Sequence, residues 1–158
     1  MEHQLHVALV NPEIGPNTGN IGRLCLGIGA RLHLVHPLGF QINDKQVRRA
    51  VLDYWKNVSV VEHPDPDAFA RWMTSRRFHL MSTRGQHAYT RIAFQPGDVL
   101  VFGCESKGLP RDWVDKYGAY RIPMPGPIRS LNLANSVSIV AMHAMQQLHP
   151  ELFDGDFS

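Results

Sequence analysis

The chain has 158 residues, enough for one domain with a sizeable hydrophobic core. Its 16 basic and 14 acidic side chains give a net charge of +2. It has only two cysteines, Cys25 and Cys104, which excludes a disulfide scaffold, and they lack metal-ligand spacing, which excludes a zinc module. No apolar run reaches the ~18 residues of a membrane helix, and no basic and apolar leader opens the chain. We therefore expect a soluble, cytoplasmic protein whose cysteines are reduced core thiols.

Charge is distributed unevenly along the chain. Three acidic residues crowd the last eight positions, so we predict a single domain over residues 1–150 and an acidic tail over 151–158. The domain carries 16 basic against 11 acidic side chains. Guanidinium groups suit phosphates, but a solvated basic face explains the charge equally well. Five arginines and no acidic residue lie between Ala68 and Gly97: Arg71, Arg76, Arg77, Arg84 and Arg91.

Short apolar runs alternate with helical patterns along the chain. Strands are predicted at residues 6–10, 32–35, 58–62, 78–82, 98–103 and 120–122. A first helix is predicted after Gly15-Pro16, with Asn17 or Thr18 as its cap, and a second over residues 44–55. A third is predicted from the Asp65-Pro66 cap to about Ser75, and Pro110 opens a short fourth helix. This alternation predicts an α/β fold, a mainly parallel sheet with helices on both faces and a ligand site at the carboxyl ends of the strands.

The last third of the chain combines a strand, an irregular loop and a helix. The strand ends at Ile122, prolines and glycine break residues 123–127, and the helix is entered through Ser130 and Asn132. The loop is half of a binding site or an ordinary connection, and the helix must bury one face against the sheet or another subunit. That face consists of Leu133, Val137, Val140, Ala141, Ala144, Met145 and Leu148.

The common α/β site motifs are missing from the sequence. Gly27-x-Gly29 lies after a helix and before a strand, the reverse of the dinucleotide-binding order. The chain has no GxxxxGK[ST], GxSxG, HExxH or CxxC, and its nine histidines lack ligand spacing. We therefore expect no metal site and no acyl-transfer chemistry.

Three strand-end loops remain, and together they carry a family resemblance. They are NPEIGPNTGNIGR at residues 11–23, FGCESKGLP at 102–110 and the RIPMPGPIRSLNLANSVS stretch at 121–138. In this order they resemble the three motifs of the SPOUT class of RNA methyltransferases, and KQVRRAVLDYW at 45–55 extends the similarity over nearly the whole chain. Lys107 departs from the pattern, because relatives often have arginine there.

The resemblance implies a fold and a cofactor. The chain after Gly103 is expected to thread into a C-terminal trefoil knot, which sequence periodicity alone never indicates. The second and third loops then hold S-adenosylmethionine. Its expected contacts are Met81, Gly103, Ile122, Ser130 and Leu131.

The resemblance also implies an activity, 2'-O-methylation of the wobble nucleotide (position 34) of tRNA, with leucine acceptors as the expected subset. Arg23 is marked as catalytic. Because the pKa of arginine exceeds about 12, we favour a clamp on the substrate phosphate over a general base. Glu105 is expected to hold that guanidinium or to bind a ribose hydroxyl, and Asn17, Arg129 and Asn132 are expected to contact the substrate.

Two partners are expected, tRNA and a second copy of the chain. We expect tRNA phosphates on Arg48, Arg49 and the arginines of residues 71–91, and a homodimer packed through Ala141 and Ala144. Methylation of another tRNA or rRNA position and a non-catalytic RNA-binding module on the same fold remain alternatives.

Overall fold

One sheet organises the molecule. The computed structural model describes residues 3–42 and 54–157, and within them seven strands pair in the order β3-β2-β1-β6-β4-β7-β5, all parallel. The strands are β1 (Leu5–Val10), β2 (Arg31–Val35), β3 (Val60–His63), β4 (Phe78–Met81), β5 (His87–Ala88), β6 (Asp98–Phe102) and β7 (Tyr120–Arg121). The predicted parallel sheet is confirmed. The two-residue β5 was not predicted, because it is too short to show any alternation.

Four α-helices lie within the described residues. They are α1 (Gly15–Ile28), α2 (Pro66–Met73), α3 (Arg111–Tyr117) and α4 (Leu133–Leu148). The helix predicted at 44–55 falls mostly on residues 43–53, outside the described residues, as do Arg48 and Arg49; a 3-10 turn follows at Trp55–Asn57. No helix in the described ranges is long and apolar enough to cross a membrane.

The core lies on both faces of the sheet, as predicted. Along β1, Val7 and Leu9 pack with α1 and α4, whereas Ala8 and Val10 point to the opposite face and pack with α2 and α3. This alternation follows from the two-residue period of a strand. Burial on both faces explains the nearly continuous apolar character of the central strands.

Helix α4 buries the predicted face within its own chain. Val137, Val140, Ala141 and Ala144 are 0% exposed and belong to the same core cluster as Ile21 of α1. The expectation that Ala141 and Ala144 pack against a partner subunit is therefore wrong. Small side chains at these positions let α4 approach its own chain closely, so a dimer would have to use a different surface.

Helices α2 and α1 differ in how their first turns are capped. Asp65 caps α2 as predicted, since its Oδ1 accepts a hydrogen bond from the Ala68 N–H at 2.7 Å. The cap predicted for α1 is wrong: the helix begins at Gly15, with Ile14 in the cap position and no side-chain cap from its own neighbourhood. Asn17 and Thr18 therefore lie inside the first turn, and the first amides need an acceptor from elsewhere.

Strand β7 lies between β4 and β5, although both precede it in the chain. The connection at residues 82–86 runs close to β7: the Ser82 N–H donates to the Tyr120 carbonyl at 2.9 Å. A Cβ on Gly85 would come within 2.4 Å of the Tyr120 carbonyl carbon, so only glycine fits there. The trefoil knot itself stays a prediction.

Three histidines form a hydrogen-bonded row across β1, β2 and β3. His6 Nδ1 lies 2.9 Å from His33 Nε2, and His33 Nδ1 lies 3.0 Å from His63 Nε2. The Trp72 ring covers the row, with its centroid 4.4 Å from that of His33. Burial lowers the pKa of His6 to about 4 and that of His33 to about 2. The row is therefore neutral in the folded protein.

We expect the free energy of unfolding to fall as the pH drops below about 6.5. The unfolded chain takes up protons on these histidines between that pH and their lowered folded pKa values, whereas the folded chain does not. The loss is roughly 1.4 kcal/mol per pH unit for each histidine held neutral. Denaturant titrations from pH 7 to pH 5 test this, with His33→Leu expected to reduce the slope. Stability that does not vary with pH in this window would contradict it.

Candidate active site

A cleft of about 660 Å³ opens at the carboxyl ends of β6, β4 and β7. Three loops that line it belong to the predicted motifs: loop 1 (residues 11–14), loop 2 (residues 103–110) and loop 3 (residues 122–132). Residues 82–84, which follow β4, line it as well. All residues expected to contact the cofactor line this one cleft: Met81, Gly103, Ile122, Ser130 and Leu131. The structure therefore brings the five together, at the edge of the sheet where α/β proteins place ligands.

The sheet itself brings the cofactor residues together. Met81 ends β4, where it pairs with Phe102 at the end of β6 and with Tyr120 in β7. Gly103 and Ile122 are the next residues after Phe102 and Arg121, so each follows its strand directly. Because neighbouring strands lie about 4.8 Å apart, their ends present a continuous row of backbone groups to the cleft.

Gly103 is required by the packing of loop 2 on itself. A Cβ on Gly103 would lie 2.0 Å from the Gly108 carbonyl carbon and 2.1 Å from the Leu109 nitrogen. The turn is closed by the Gly108 N–H, which donates to the Cys104 carbonyl at 2.9 Å. Glycine at this position thus shapes the wall of the cleft, in addition to allowing the expected approach of the cofactor.

The two cysteines differ in environment. Cys25 is buried in the core as expected, and burial raises its pKa to about 12. Cys104 is half-buried in the wall of the cleft, so the expectation of a core thiol is wrong for this residue. It follows the end of β6, where the buried strand gives way to loop 2.

Glu105 supplies the missing cap of α1. Its carboxylate accepts hydrogen bonds from the N–H groups of Glu13 (3.0 Å) and Ile14 (2.6 Å) and from Asn17 Nδ2 (3.4 Å). The carboxylate therefore lies at the start of α1, where the helix dipole attracts a negative group. Among the described residues Glu105 makes no ion pair, so the structure does not show the expected pairing with Arg23.

Asn17 and Asn132 connect α1 to loop 3. Asn132 Nδ2 donates to Asn17 Oδ1 at 3.0 Å, and Asn132 Oδ1 caps α4 by accepting from the Ala134 N–H at 2.9 Å. Both asparagines line the cleft, where we expected substrate contacts. In this structure Asn132 of loop 3 bonds to Asn17 of α1, and Asn17 bonds to Glu105 of loop 2. The two amide groups therefore connect the loops of the cleft.

Cations dominate the charge around the cleft. Among the residues that the structure describes, the lining contains four cations, Arg84, Lys107, Arg121 and Arg129, and one carboxylate, that of Glu105. The Arg84 guanidinium donates to the Leu109 carbonyl at 3.2 Å. Arg129 is exposed and has no side-chain hydrogen bond or ion pair within residues 3–42 and 54–157. The rim of the cleft can therefore bind an anion.

Arg23 lies outside the cleft. It is exposed on the third turn of α1, and its guanidinium carbon sits 5.9 Å from the centre of the Tyr54 ring. The Tyr54 hydroxyl donates to the Gly19 carbonyl at 3.2 Å, one helical turn before Arg23. The contact of Tyr54 with Arg23 was not expected, although Tyr54 belongs to the KQVRRAVLDYW stretch.

The arginines of residues 71–91 differ in their contacts. Arg77 pairs with the buried carboxylate of Asp98 at 2.8 Å, and Arg76 stacks on Trp72 at 4.7 Å. Arg84 belongs to the cleft, whereas Arg91 lies beside His87 at the β5 edge. Their spacing in sequence gave no indication of these different contacts, because each contact is made with a residue of another element or loop.

These features define a class of protein. A parallel sheet covered on both faces, with a polar, cation-rimmed cleft of cofactor size at its strand ends, is the architecture of an α/β enzyme that binds a nucleotide-like ligand. The chain belongs to the SpoU rRNA methylase family, whose model matches residues 4–142. The recognition as a SPOUT-class RNA methyltransferase is thereby confirmed.

Individual relatives agree with the family assignment. The chain is 44% identical over 147 residues to the tRNA (cytidine(34)-2'-O)-methyltransferase of Escherichia coli K12, covering 91% of this chain and 94% of that protein. It is 46% identical to the enzyme of the same name from Burkholderia pseudomallei, covering 90% and 94%. A solved structure concerning the 2-OH methylation of C/U34 on tRNA superposes with a TM-score of 0.87 at 41% identity, covering 92% and 96%. An AdoMet-bound rRNA methyltransferase from Sinorhizobium meliloti superposes at 0.83 with 27% identity, covering 94% of this chain and 58% of that one.

Proposed function

We propose that this protein transfers a methyl group from S-adenosylmethionine to the ribose 2'-oxygen of nucleotide 34 of tRNA, a cytidine or a modified uridine. The observation that carries the proposal is the gathering of all five expected cofactor residues in one cleft. The relatives named above, which the chain matches over nine-tenths of its length, carry this activity in their names. Leucine acceptors are the expected subset of tRNAs.

The cleft fits the cofactor in size and chemistry. Its volume of about 660 Å³ lies in the range of small-molecule sites, and backbone groups beside Gly103, Ile122 and Leu131 offer donors and acceptors for an adenine ring. When bound, S-adenosylmethionine supplies an electrophilic methyl group on a cationic sulfur. Cations around the cleft destabilise the cationic sulfur of the cofactor more than the neutral thioether of the product, so they favour the transfer.

The chain's own residues then orient the acceptor ribose. Arg129 at the rim is placed to hold a phosphate, and Arg23 supplies a second guanidinium that clamps the RNA and favours ionisation of the 2'-hydroxyl. Glu105 already accepts three hydrogen bonds from Glu13, Ile14 and Asn17, so its carboxylate is engaged in holding loop 1 and the start of α1. We therefore assign Glu105, Asn17 and Asn132 to shaping the site and the two arginines to the substrate.

We propose that the protein is a homodimer, as the resemblance to SPOUT enzymes implies. Because Arg23 does not line the cleft of its own chain, a second subunit would allow it to reach an RNA bound at the neighbouring cleft. Exposed apolar side chains on α1 and α4, such as Leu26, Ile139 and Met142, are available for such a contact. Light scattering should give about twice the 17.8 kDa of one chain, and a monomer at micromolar concentration would contradict the dimer. We also propose a cytoplasmic location, because that is where tRNA would be available as a substrate.

Incubation with labelled cofactor and total tRNA tests the proposed reaction. We expect label in tRNA in the presence of a chelator, because a methyl group on a cationic sulfur is electrophilic without a metal. The same chelated buffer serves for calorimetry with S-adenosylmethionine. Folded protein that gives no binding heat at millimolar cofactor would contradict the cofactor assignment.

A further inference from the structure

A second carboxylate, that of Glu13, also connects loops 1 and 2. Glu105 of loop 2 accepts hydrogen bonds from loop 1, whereas Glu13 of loop 1 accepts hydrogen bonds from loop 2. Glu13 Oε1 accepts hydrogen bonds from the Ser106 N–H at 3.2 Å and from the Ser106 hydroxyl at 2.5 Å. At the same time the Glu13 N–H donates to Glu105 Oε1 at 3.0 Å. The two loops thus exchange caps as the two ends of a capping box do, although they are 92 residues apart in sequence.

The tip of loop 2 depends on this exchange. Glu105, Ser106 and Lys107 lie between Cys104 and Gly108, whose backbone hydrogen bond at 2.9 Å closes the turn. All three tip residues line the cleft, whereas Glu13 does not. Glu13 therefore supports the wall of the cleft from behind, without touching whatever the cleft holds.

Loop 1 is itself anchored to the sheet. The Gly39 N–H donates to the Pro12 carbonyl at 2.9 Å, and Asn11 Nδ2 donates to the Val35 carbonyl at 3.3 Å. A Cβ on Gly39 would come within 2.6 Å of the Glu13 carbonyl oxygen, so the two segments are in close backbone contact. Although its side chain is exposed, Glu13 thus projects from a fixed backbone.

We propose that Glu13 is a positioning residue that holds the tip of loop 2 in its cofactor-binding position through Ser106. The inference rests on the proposed function, in which the cleft binds S-adenosylmethionine. Fixing the three tip residues before binding lowers the entropic cost of ordering them around the ligand. Glu13 acts through the Ser106 N–H and hydroxyl, and the Cys104 thiol in the same loop also interacts with its carboxylate.

Calorimetry with the demethylated cofactor, S-adenosylhomocysteine, tests the inference. Glu13→Ala should weaken binding about tenfold, because two hydrogen bonds to a carboxylate are lost and the tip must be ordered on binding. Glu13→Gln keeps an amide oxygen that accepts from Ser106, so its affinity should stay within roughly threefold of the wild type. Glu62→Ala removes an exposed carboxylate on β3 that is bonded to His36, and it serves as the matched control with unchanged affinity.

Amide hydrogen exchange at Ser106 gives a readout without cofactor. In Glu13→Ala this amide should exchange faster, while the melting temperature stays near that of the wild type. A wild-type protein that does not bind the cofactor product would contradict the proposed function, and the exchange rate would still report on the loop. Wild-type affinity and a wild-type exchange rate in Glu13→Ala would overturn the inference. It would also be overturned if Glu13→Ala and Glu13→Gln lost affinity to the same extent and both had a lowered melting temperature.

Discussion

Replacing Arg23 by alanine is expected to reduce methyl transfer to tRNA by a factor of about 10² to 10³, the effect of removing one positioned group that stabilises the transition state. The side chain is exposed and does not line the cleft, so affinity for S-adenosylhomocysteine and the melting temperature should remain close to those of the wild type. Single-turnover rates with saturating tRNA, together with calorimetry, measure both quantities. Arg23→Lys should recover only part of the rate, since lysine lacks the planar fork.

Lys116 provides a matched control for Arg23. It is an exposed cation on α3 whose ammonium lies 5.2 Å from the centre of the Tyr117 ring, a contact of the same type as that between Arg23 and Tyr54. Lys116→Ala should leave turnover unchanged, because the residue does not line the cleft. An Arg23→Ala variant with wild-type turnover would show that another residue performs the role assigned to it.

Replacing Gly103 by alanine is expected to weaken cofactor binding by at least about a hundredfold and to destabilise the fold by roughly 1–3 kcal/mol, as overpacking does. The added methyl group would meet backbone atoms of Gly108 and Leu109 at 2.0 and 2.1 Å, and backbone cannot rotate away as a side chain can. Loop 2 must therefore move, which changes the wall that the cofactor contacts. Thermal unfolding and calorimetry with S-adenosylhomocysteine measure the two effects.

Gly126→Ala is the control for this substitution. Gly126 belongs to loop 3, and a Cβ there would meet nothing within 4 Å. Both stability and cofactor affinity should stay unchanged. If Gly103→Ala behaved like Gly126→Ala, loop 2 would be able to adjust at no cost and its close packing would be irrelevant to binding.

The elements that the sequence predicted correctly are those whose signals are local. Apolar runs identified the longer strands, the Asp65-Pro66 pair identified the start of α2, and the glycine- and proline-rich segments identified the three loops of the cleft. The positions of Met81, Gly103 and Ile122 at strand ends followed from the same runs. A short strand such as β5 leaves no such signal.

The parts that sequence reasoning missed depend on contacts between distant segments. The cap of α1 comes from Glu105, 91 residues away from Ile14, so no local pattern could have identified it. Ala141 and Ala144 are small enough for either an internal or an intersubunit contact, and only the fold shows that they belong to the core. Glu13 precedes α1 closely enough to be a candidate for capping, but its partner Ser106 belongs to another loop.

Mapping the methyl group within tRNA tests the central claim most directly. Total tRNA is incubated with the purified protein and labelled cofactor, and the labelled nucleotide is located by nuclease digestion and mass spectrometry. We predict label on the 2'-oxygen of nucleotide 34 in a small subset of tRNAs, with the rate of labelling reduced by a factor of about 10² to 10³ in the Arg23→Ala reaction. Label on a base atom would contradict the reaction, and label on the ribose of a different nucleotide would contradict the target.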